Sequence, residues 1–253
     1  MMRFKVWRSG KDGDDARYDT FEVQPVKGMN VLEALFEIQD RLDDTLAFRY
    51  ACRGAVCGSC AMMINREIRL ACRTQVSLIS HYKPMGLKPF PPLQSPVDWD
   101  RDSEVLVEPL PNLPIQKDLV VDMTRFYRYY ERVKPYLETL EEVGAPTRIM
   151  PQQMERAERL ANCILCAACY GSCPVCHKNS RYIGPHALAW SLRFIDDPRA
   201  KGDEQERLSL VKDQDGVPAC EGFYNCVRTC PKDVAPAAAI KILKEKLAQR
   251  KLI

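Results

Sequence analysis

The chain has 253 residues, a length for which two domains are the natural expectation. It is 46% hydrophobic and 28% charged, ordinary for a soluble globular protein, and its net charge of +3, mixed along the chain, argues against nucleic acid as a partner. No window approaches ~18 consecutive apolar residues, so no transmembrane helix is expected, and the opening MMRFKVWRSG has no apolar signal region.

The first part of the chain reads as strand-rich. Phe4 and Val6 alternate with Lys5, and Phe21 and Val23 with Glu22, as half-buried strands do. In NVLEALFEIQDRL, Asn30 is a good N-cap and Glu33 completes a capping box. Val31, Leu32, Leu35, Phe36 and Leu42 make the apolar stripe of that helix. Cys52, Cys57, Cys60 and Cys72 follow as C-x4-C-x2-C-x11-C, the plant-type [2Fe–2S] pattern. Iron in such a cluster is tetrahedral and soft and prefers thiolate. A tight loop supplies three thiolates and a later strand the fourth. Gly54 and Gly58 lie inside the loop, where wrapping a cluster calls for close approach and positive φ. AMMI and IRLAC read as a hairpin turning at Asn65-Arg66. Residues 81–104 hold Pro84, Pro89, Pro91, Pro92 and Pro96, which favour an extended, stiff segment that packs on a partner or decorates the surface.

The second part reads as helical, with candidates at residues 124–142, 151–163, 185–195 and 237–250. Ile240, Leu243 and Leu247 form one stripe on the last, with lysines opposite. Between these helices, Cys163, Cys166, Cys169 and Cys173 precede Pro174 as C-x2-C-x2-C-x3-C-P, the bacterial ferredoxin run. In two-cluster ferredoxins the fourth cysteine of such a run serves the other cluster. Applied here, Cys163, Cys166, Cys169 and Cys230 hold one cluster, and Cys173 joins Cys220 and Cys226 at the other. Phe223 stands where the second set would have its middle ligand. A cubane corner without a thiolate tends to lose its iron, so the expectation is [3Fe–4S] there and [4Fe–4S] in the first. Cys176, the twelfth cysteine, follows no ferredoxin spacing and reads as a small buried hydrophobe, with ligation of a fourth corner as the rival. Zinc usually takes two C-x2-C pairs or mixed Cys/His sets, and neither pattern is present. The cysteines are best explained by ligation in a reducing cytoplasm, not by disulfides. The fold class expected is α+β: a β-grasp, plant-type ferredoxin-like domain over residues 1–115, then an all-helical, dicluster ferredoxin-like domain over 116–253.

CRGAVCGSCAMMINREIRLAC, EPLPNLPIQKDLVVDM, CILCAACYGSCP, YIGPHAL and CEGFYNCVRTCPKDVAPAAAI together resemble the iron–sulfur subunit of the succinate dehydrogenase and fumarate reductase family, over nearly the whole chain and in order. The family sometimes has Asp at the third ligand of the first cluster; here that position is Cys60. The resemblance implies a flavoprotein subunit carrying FAD and the dicarboxylate site, a membrane anchor, and a quinone at the junction with it. Electrons would pass through the [2Fe–2S], [4Fe–4S] and [3Fe–4S] clusters in turn to the quinone, or the other way for fumarate reduction, and the chain would sit peripherally on the cytoplasmic side. By position it also places Pro174, His177, Phe223 and Lys244 in the quinone vicinity. Ordinary surface roles compete for Lys244, on a helix face, and for His177, in a loop. Ubiquinone-reducing relatives carry tryptophans after this proline, whereas this chain has VCHKNSR, which leans toward menaquinone or another non-ubiquinone acceptor. Lys241, Lys246, Arg250 and Lys251 read as helix solubility rather than lipid contact. The competing classes are a soluble multi-cluster ferredoxin-type carrier, for which more acid and a cysteine at position 223 are expected, and a thiol-linked fumarate reductase subunit, for which further Cys-rich sequence is expected.

Overall fold

The computed structural model describes residues 1–138, 148–200 and 203–252. Strands β1 (Met2–Arg8) and β2 (Arg17–Val23) pair antiparallel, and helix α1 (Val31–Arg41) follows. Hairpin β3 (Ala61–Ile64) and β4 (Glu67–Leu70) comes next, then one helical turn α2 (Pro91–Gln94) and strand β5 (Glu104–Glu108). The sheet order is β2-β1-β5-β3-β4, with β1 and β5 parallel and the other neighbours antiparallel. This is the β-grasp arrangement read from the sequence. Phe4, Val6 and Val23 are fully buried, as their alternation predicts.

The capping box forms as expected. Asn30 Oδ1 accepts from Glu33 N at 3.0 Å, and Glu33 Oε2 accepts from Asn30 N at 2.9 Å. Val31, Leu32, Leu35 and Ile38 of α1 are buried against the sheet. Burial of each such side chain is worth about 1.5–3 kcal/mol, so packing rather than propensity holds the helix. Leu42, read as part of the stripe, lies past the last turn and is exposed, and Phe36 is half-buried. The β3–β4 turn is the two-residue kind with positive φ at both Asn65 (49°) and Arg66 (65°), the twist that matches a hairpin.

A small pair, β6 (Ile115–Lys117) and β7 (Val120–Val121), leads into the helices. These are α3 (Thr124–Arg132), α4 (Pro151–Ala161), α5 (Ala168–Gly171), α6 (Pro174–Lys178), α7 (Gly184–Ile195), α8 (Glu204–Ser209), α9 (Asn225–Arg228) and α10 (Pro236–Gln249). The expected helix over 124–142 stops at Arg132: Lys134 takes φ +51° and Pro135 cannot continue the ladder. The remainder of that reading, 139–142, lies outside the described residues. Ile240, Leu243 and Leu247 of α10 are all buried, and α10 packs along α7.

Residues 81–104 pack on this chain itself. Asn225, at the start of α9 and 1% exposed, clamps the segment: its Nδ2 donates to Lys88 O at 2.9 Å, and its Oδ1 accepts from Lys88 N at 2.7 Å. The same Nδ2 reaches Ser172 O at 2.8 Å. Phe90 is buried, Arg66 Nη1 donates to Pro92 O, and Lys5 Nζ to Asp98 O. The prolines leave the segment without regular structure apart from α2, and side chains of both domains hold it down.

Candidate iron–sulfur centres

The first cysteine loop is wrapped by its own backbone. The N–H groups of Gly54, Val56 and Cys57 point at Cys52 Sγ at 3.2–3.4 Å, and Ala55 N points at Cys72 Sγ at 3.3 Å. Donors aimed at sulfur favour thiolate, and they hold Cys52 down to about 6. Cys60 is buried, which pushes its thiol up to about 12. Such donors suit thiolates that share negative charge with iron, so the donor chemistry fits a [2Fe–2S] group. Two sequence readings need correction. Cys72 lies not within a strand but on a 3₁₀ turn, Ala71–Arg73, directly after β4. The left-handed positions of the loop are Arg53, Ala55 and Gly58; Gly54 does not have positive φ.

The crossing of the second and third cysteine runs is explicit in space. Cys163, Cys166, Cys169 and Cys230 line one cavity with Phe126, His186 and Ala189. Cys173, Cys220 and Cys226 line another, together with Pro174, Tyr182 and Phe223. Left-handed turns at Leu165 and Ala167 swing the first three sulfurs inward, and α5 then carries the chain across to Cys173 at the head of α6. Asn112 pins this crossing, with Nδ2 donating to Tyr170 O, Gly171 O and Cys173 O at 2.9–3.1 Å. Burial pushes the Cys166 and Cys226 thiols up to about 12 and raises Cys169 as well. Four cysteines lining one cavity and three lining the other supply the soft sulfur donors that iron–sulfur groups take, so both cavities suit polynuclear clusters. Among the described residues no three Cys, His, Asp or Glu side chains converge on a single-ion position.

Cys176 lies next to Cys173, buried, its thiol hydrogen-bonded to the Cys173 sulfur; that hydrogen bond lowers Cys173, while burial raises Cys176. It does not line the second cavity. Of the residues placed near a quinone by resemblance, Pro174 and Phe223 line that cavity. His177 is exposed and stands beside the Phe90 ring at 5.6 Å. Lys244 donates to Cys220 O at 2.8 Å, so it serves a cysteine loop rather than a solvated face. Lys246, by contrast, pairs with Asp196 and Glu204, each at 3.0 Å, and Arg250 pairs with Glu204. The amides Asn112 and Asn225 escaped the sequence reading because a lone asparagine carries no spacing signal.

The family of the 2Fe-2S iron-sulfur cluster binding domain matches residues 3–128, and that of the 4Fe-4S dicluster domain matches residues 159–234. The chain is 37% identical to the succinate dehydrogenase iron-sulfur subunit of Coxiella burnetii, over 98% of this chain and 97% of that protein. It is 35% identical to the fumarate reductase iron-sulfur subunit of Escherichia coli, over 95% of this chain and 90% of that protein. Its fold matches a chain of the Mycobacterium smegmatis Sdh1 complex in the apo form, with TM-score 0.80 and 24% identity, covering 100% and 97% of the two chains. The chain belongs to the family of iron–sulfur subunits of succinate dehydrogenases and fumarate reductases.

Proposed function

We propose that this chain is the electron relay between FAD in a flavoprotein subunit and a membrane quinone, with Cys52, Cys57, Cys60 and Cys72 holding [2Fe–2S], Cys163, Cys166, Cys169 and Cys230 holding [4Fe–4S], and Cys173, Cys220 and Cys226 holding [3Fe–4S]. When bound, these clusters supply one-electron redox steps that exchange electrons with a two-electron flavin. The observation that carries the reading is the exchange of Cys173 and Cys230 between two cavities, the second lined by three cysteines together with Phe223. The chain's own part is to supply the thiolates, aim backbone donors at them, and exclude water by burial.

The two ends have different surfaces. Around the first loop, Cys52, Tyr50 and Val56 are exposed, which supports docking of the flavoprotein there. Around the third set, Tyr224 is exposed beside Phe223, while Lys178 lies over the Phe223 ring and pairs with Glu221. That mixed apolar and cationic face supports a quinone and an anchor subunit at this end, with menaquinone the acceptor favoured by the segment after Pro174. No helix among the described residues is long and apolar enough to cross a membrane. Attachment to the cytoplasmic face therefore falls to the anchor in this reading. We place the division between the two domains near residue 115.

Low-temperature EPR with iron quantification on anaerobically prepared protein tests this. The expected result is roughly nine irons per chain, a paramagnetic [3Fe–4S] centre in the oxidised sample and a [2Fe–2S] signal after dithionite. A silent oxidised sample with a tenth iron would make the third site a full cubane and bring Cys176 into its ligand set.

A further inference from the structure

One cationic side chain crosses from the first domain to a cysteine turn of the second. It lies in a cleft of about 270 Å³, lined by Arg69 and Arg73 on one side and by Arg228, Cys230 and Pro231 on the other. Arg73 ends the 3₁₀ turn Ala71–Arg73, directly after Cys72. Its Nη1 donates to Pro231 O at 3.3 Å, and Pro231 directly follows Cys230. Thr74, the next residue, is 3% exposed and donates through Oγ1 to Leu70 O at 2.9 Å, which fixes the backbone from which Arg73 projects. Across the cleft, Thr229 Oγ1 donates to Ile68 O at 3.0 Å and holds the second domain against β4. Arg69 is neutralised by Glu67, whereas no carboxylate among the described residues pairs with Arg73.

We propose that the Arg73 guanidinium, carried by the first domain, raises the reduction potential of the [4Fe–4S] cluster held by the second. The inference rests on Cys230 being a ligand of that cluster. Adding an electron increases the negative charge on the ligating sulfurs, so a cation at the Cys230 turn favours the reduced form. The bond to Pro231 O keeps the cation there, because a carbonyl accepts without neutralising it. The side chain is exposed, so water and salt screen its charge and the effect has the size of an exposed ion pair. Arg73 is a positioning residue in this role, acting through the Cys230 turn. It makes the electron affinity of the middle of the relay depend on the two domains being closed on each other.

The test is an EPR-monitored redox titration of the assembled complex, comparing the natural protein with Arg73→Gln, which keeps a hydrogen-bond donor and removes the charge. At low salt and an ambient potential set to the natural midpoint, the reduced-to-oxidised ratio of the [4Fe–4S] cluster is expected to fall roughly two- to fivefold, the range for one exposed charge. The [3Fe–4S] centre is expected to titrate unchanged, and Arg73→Lys to restore the ratio. In about 1 M potassium chloride the difference between the natural protein and Arg73→Gln is expected to vanish. A lowered ratio that persists in salt and is not restored by lysine belongs to a tether rather than a charge, and overturns the proposal. So does an unchanged ratio at low salt with the cluster retained. If Arg73→Gln loses the cluster through loosening of the cleft, replacement of Arg73 by citrulline decides, because it keeps the shape and the donors and removes only the charge. Under a purely structural role that replacement leaves the ratio alone; under the proposal it lowers it. The underlying ligand reading fails separately, if Cys230→Ala retains the [4Fe–4S] signal at its natural potential.

Discussion

Gly58 lies directly against Cys166. Its φ is +75°, and a Cβ placed on it would stand 2.6 Å from Cys166 Cβ and 2.9 Å from Cys166 Cα. Gly58 belongs to the loop of Cys57 and Cys60, whereas Cys166 belongs to the C-x2-C-x2-C run of the other domain. The absent side chain is what lets the two cysteine loops touch. In a relay this is the place where separation matters most, because one loop must deliver electrons to the other.

Gly58→Ala is expected to destabilise the protein by roughly 2–5 kcal/mol, from left-handed strain together with overpacking against backbone. The two loops must part to admit the methyl group. Denaturant unfolding gives the stability, and rapid-freeze EPR after reduction through the first cluster gives the transfer rate to the second. Natural stability and rate in this variant would show that the contact is slack.

If the third set holds the proposed [3Fe–4S] centre, Phe223→Cys is expected to supply a fourth thiolate and convert it to [4Fe–4S], so that the oxidised EPR signal disappears and iron content rises by about one per chain. Cys176→Ser is the companion. Its side chain donates to Cys173 and does not line the cavity, so all three clusters are expected to remain. Loss of any cluster signal in that variant would make Cys176 a ligand.

Asn225→Ala removes both bonds to Lys88 and the bond to Ser172. The expected cost is about 2–4 kcal/mol, since the buried Ser172 carbonyl loses its donor and the Pro-rich segment its anchor. Hydrogen exchange followed by mass spectrometry is expected to show faster exchange around Lys88, with strand β1 unchanged. Natural protection there would mean that Phe90 and Arg66 hold the segment without the clamp.

In cluster-free protein the cysteines of the first set separate by pH. Cys52 is held down to about 6 by backbone donors, so above that pH it is mostly thiolate and reactive; Cys60, pushed up to about 12 by burial, stays protonated. Alkylation mapped by mass spectrometry is expected to label Cys52 with a half-maximal rate near pH 6 and to leave Cys60 nearly untouched at pH 7. Equal labelling of the two at pH 7 would show that the loop loses its fold without iron.

Spacing in the sequence was enough to group the cysteines and to expect Cys230 with the second run and Cys173 with the third, a grouping that matches the residues lining the two cavities, because cluster loops are short and ligand order along the chain is constrained by the cluster. Local chemistry likewise determined the Asn30 cap, the Asn65-Arg66 turn and the α10 stripe, each of which depends on residues a few positions apart. Tertiary structure decided what no local pattern encodes. It put Cys72 on a turn after its strand, ended α3 at Arg132, folded the Pro-rich segment under Asn225, and turned Lys244 to the carbonyl of Cys220. It also set Gly58 on Cys166. Residues such as Asn225 and Lys88, 137 positions apart, meet only when two domains close on each other, and a single glycine or asparagine leaves no periodic trace of that meeting.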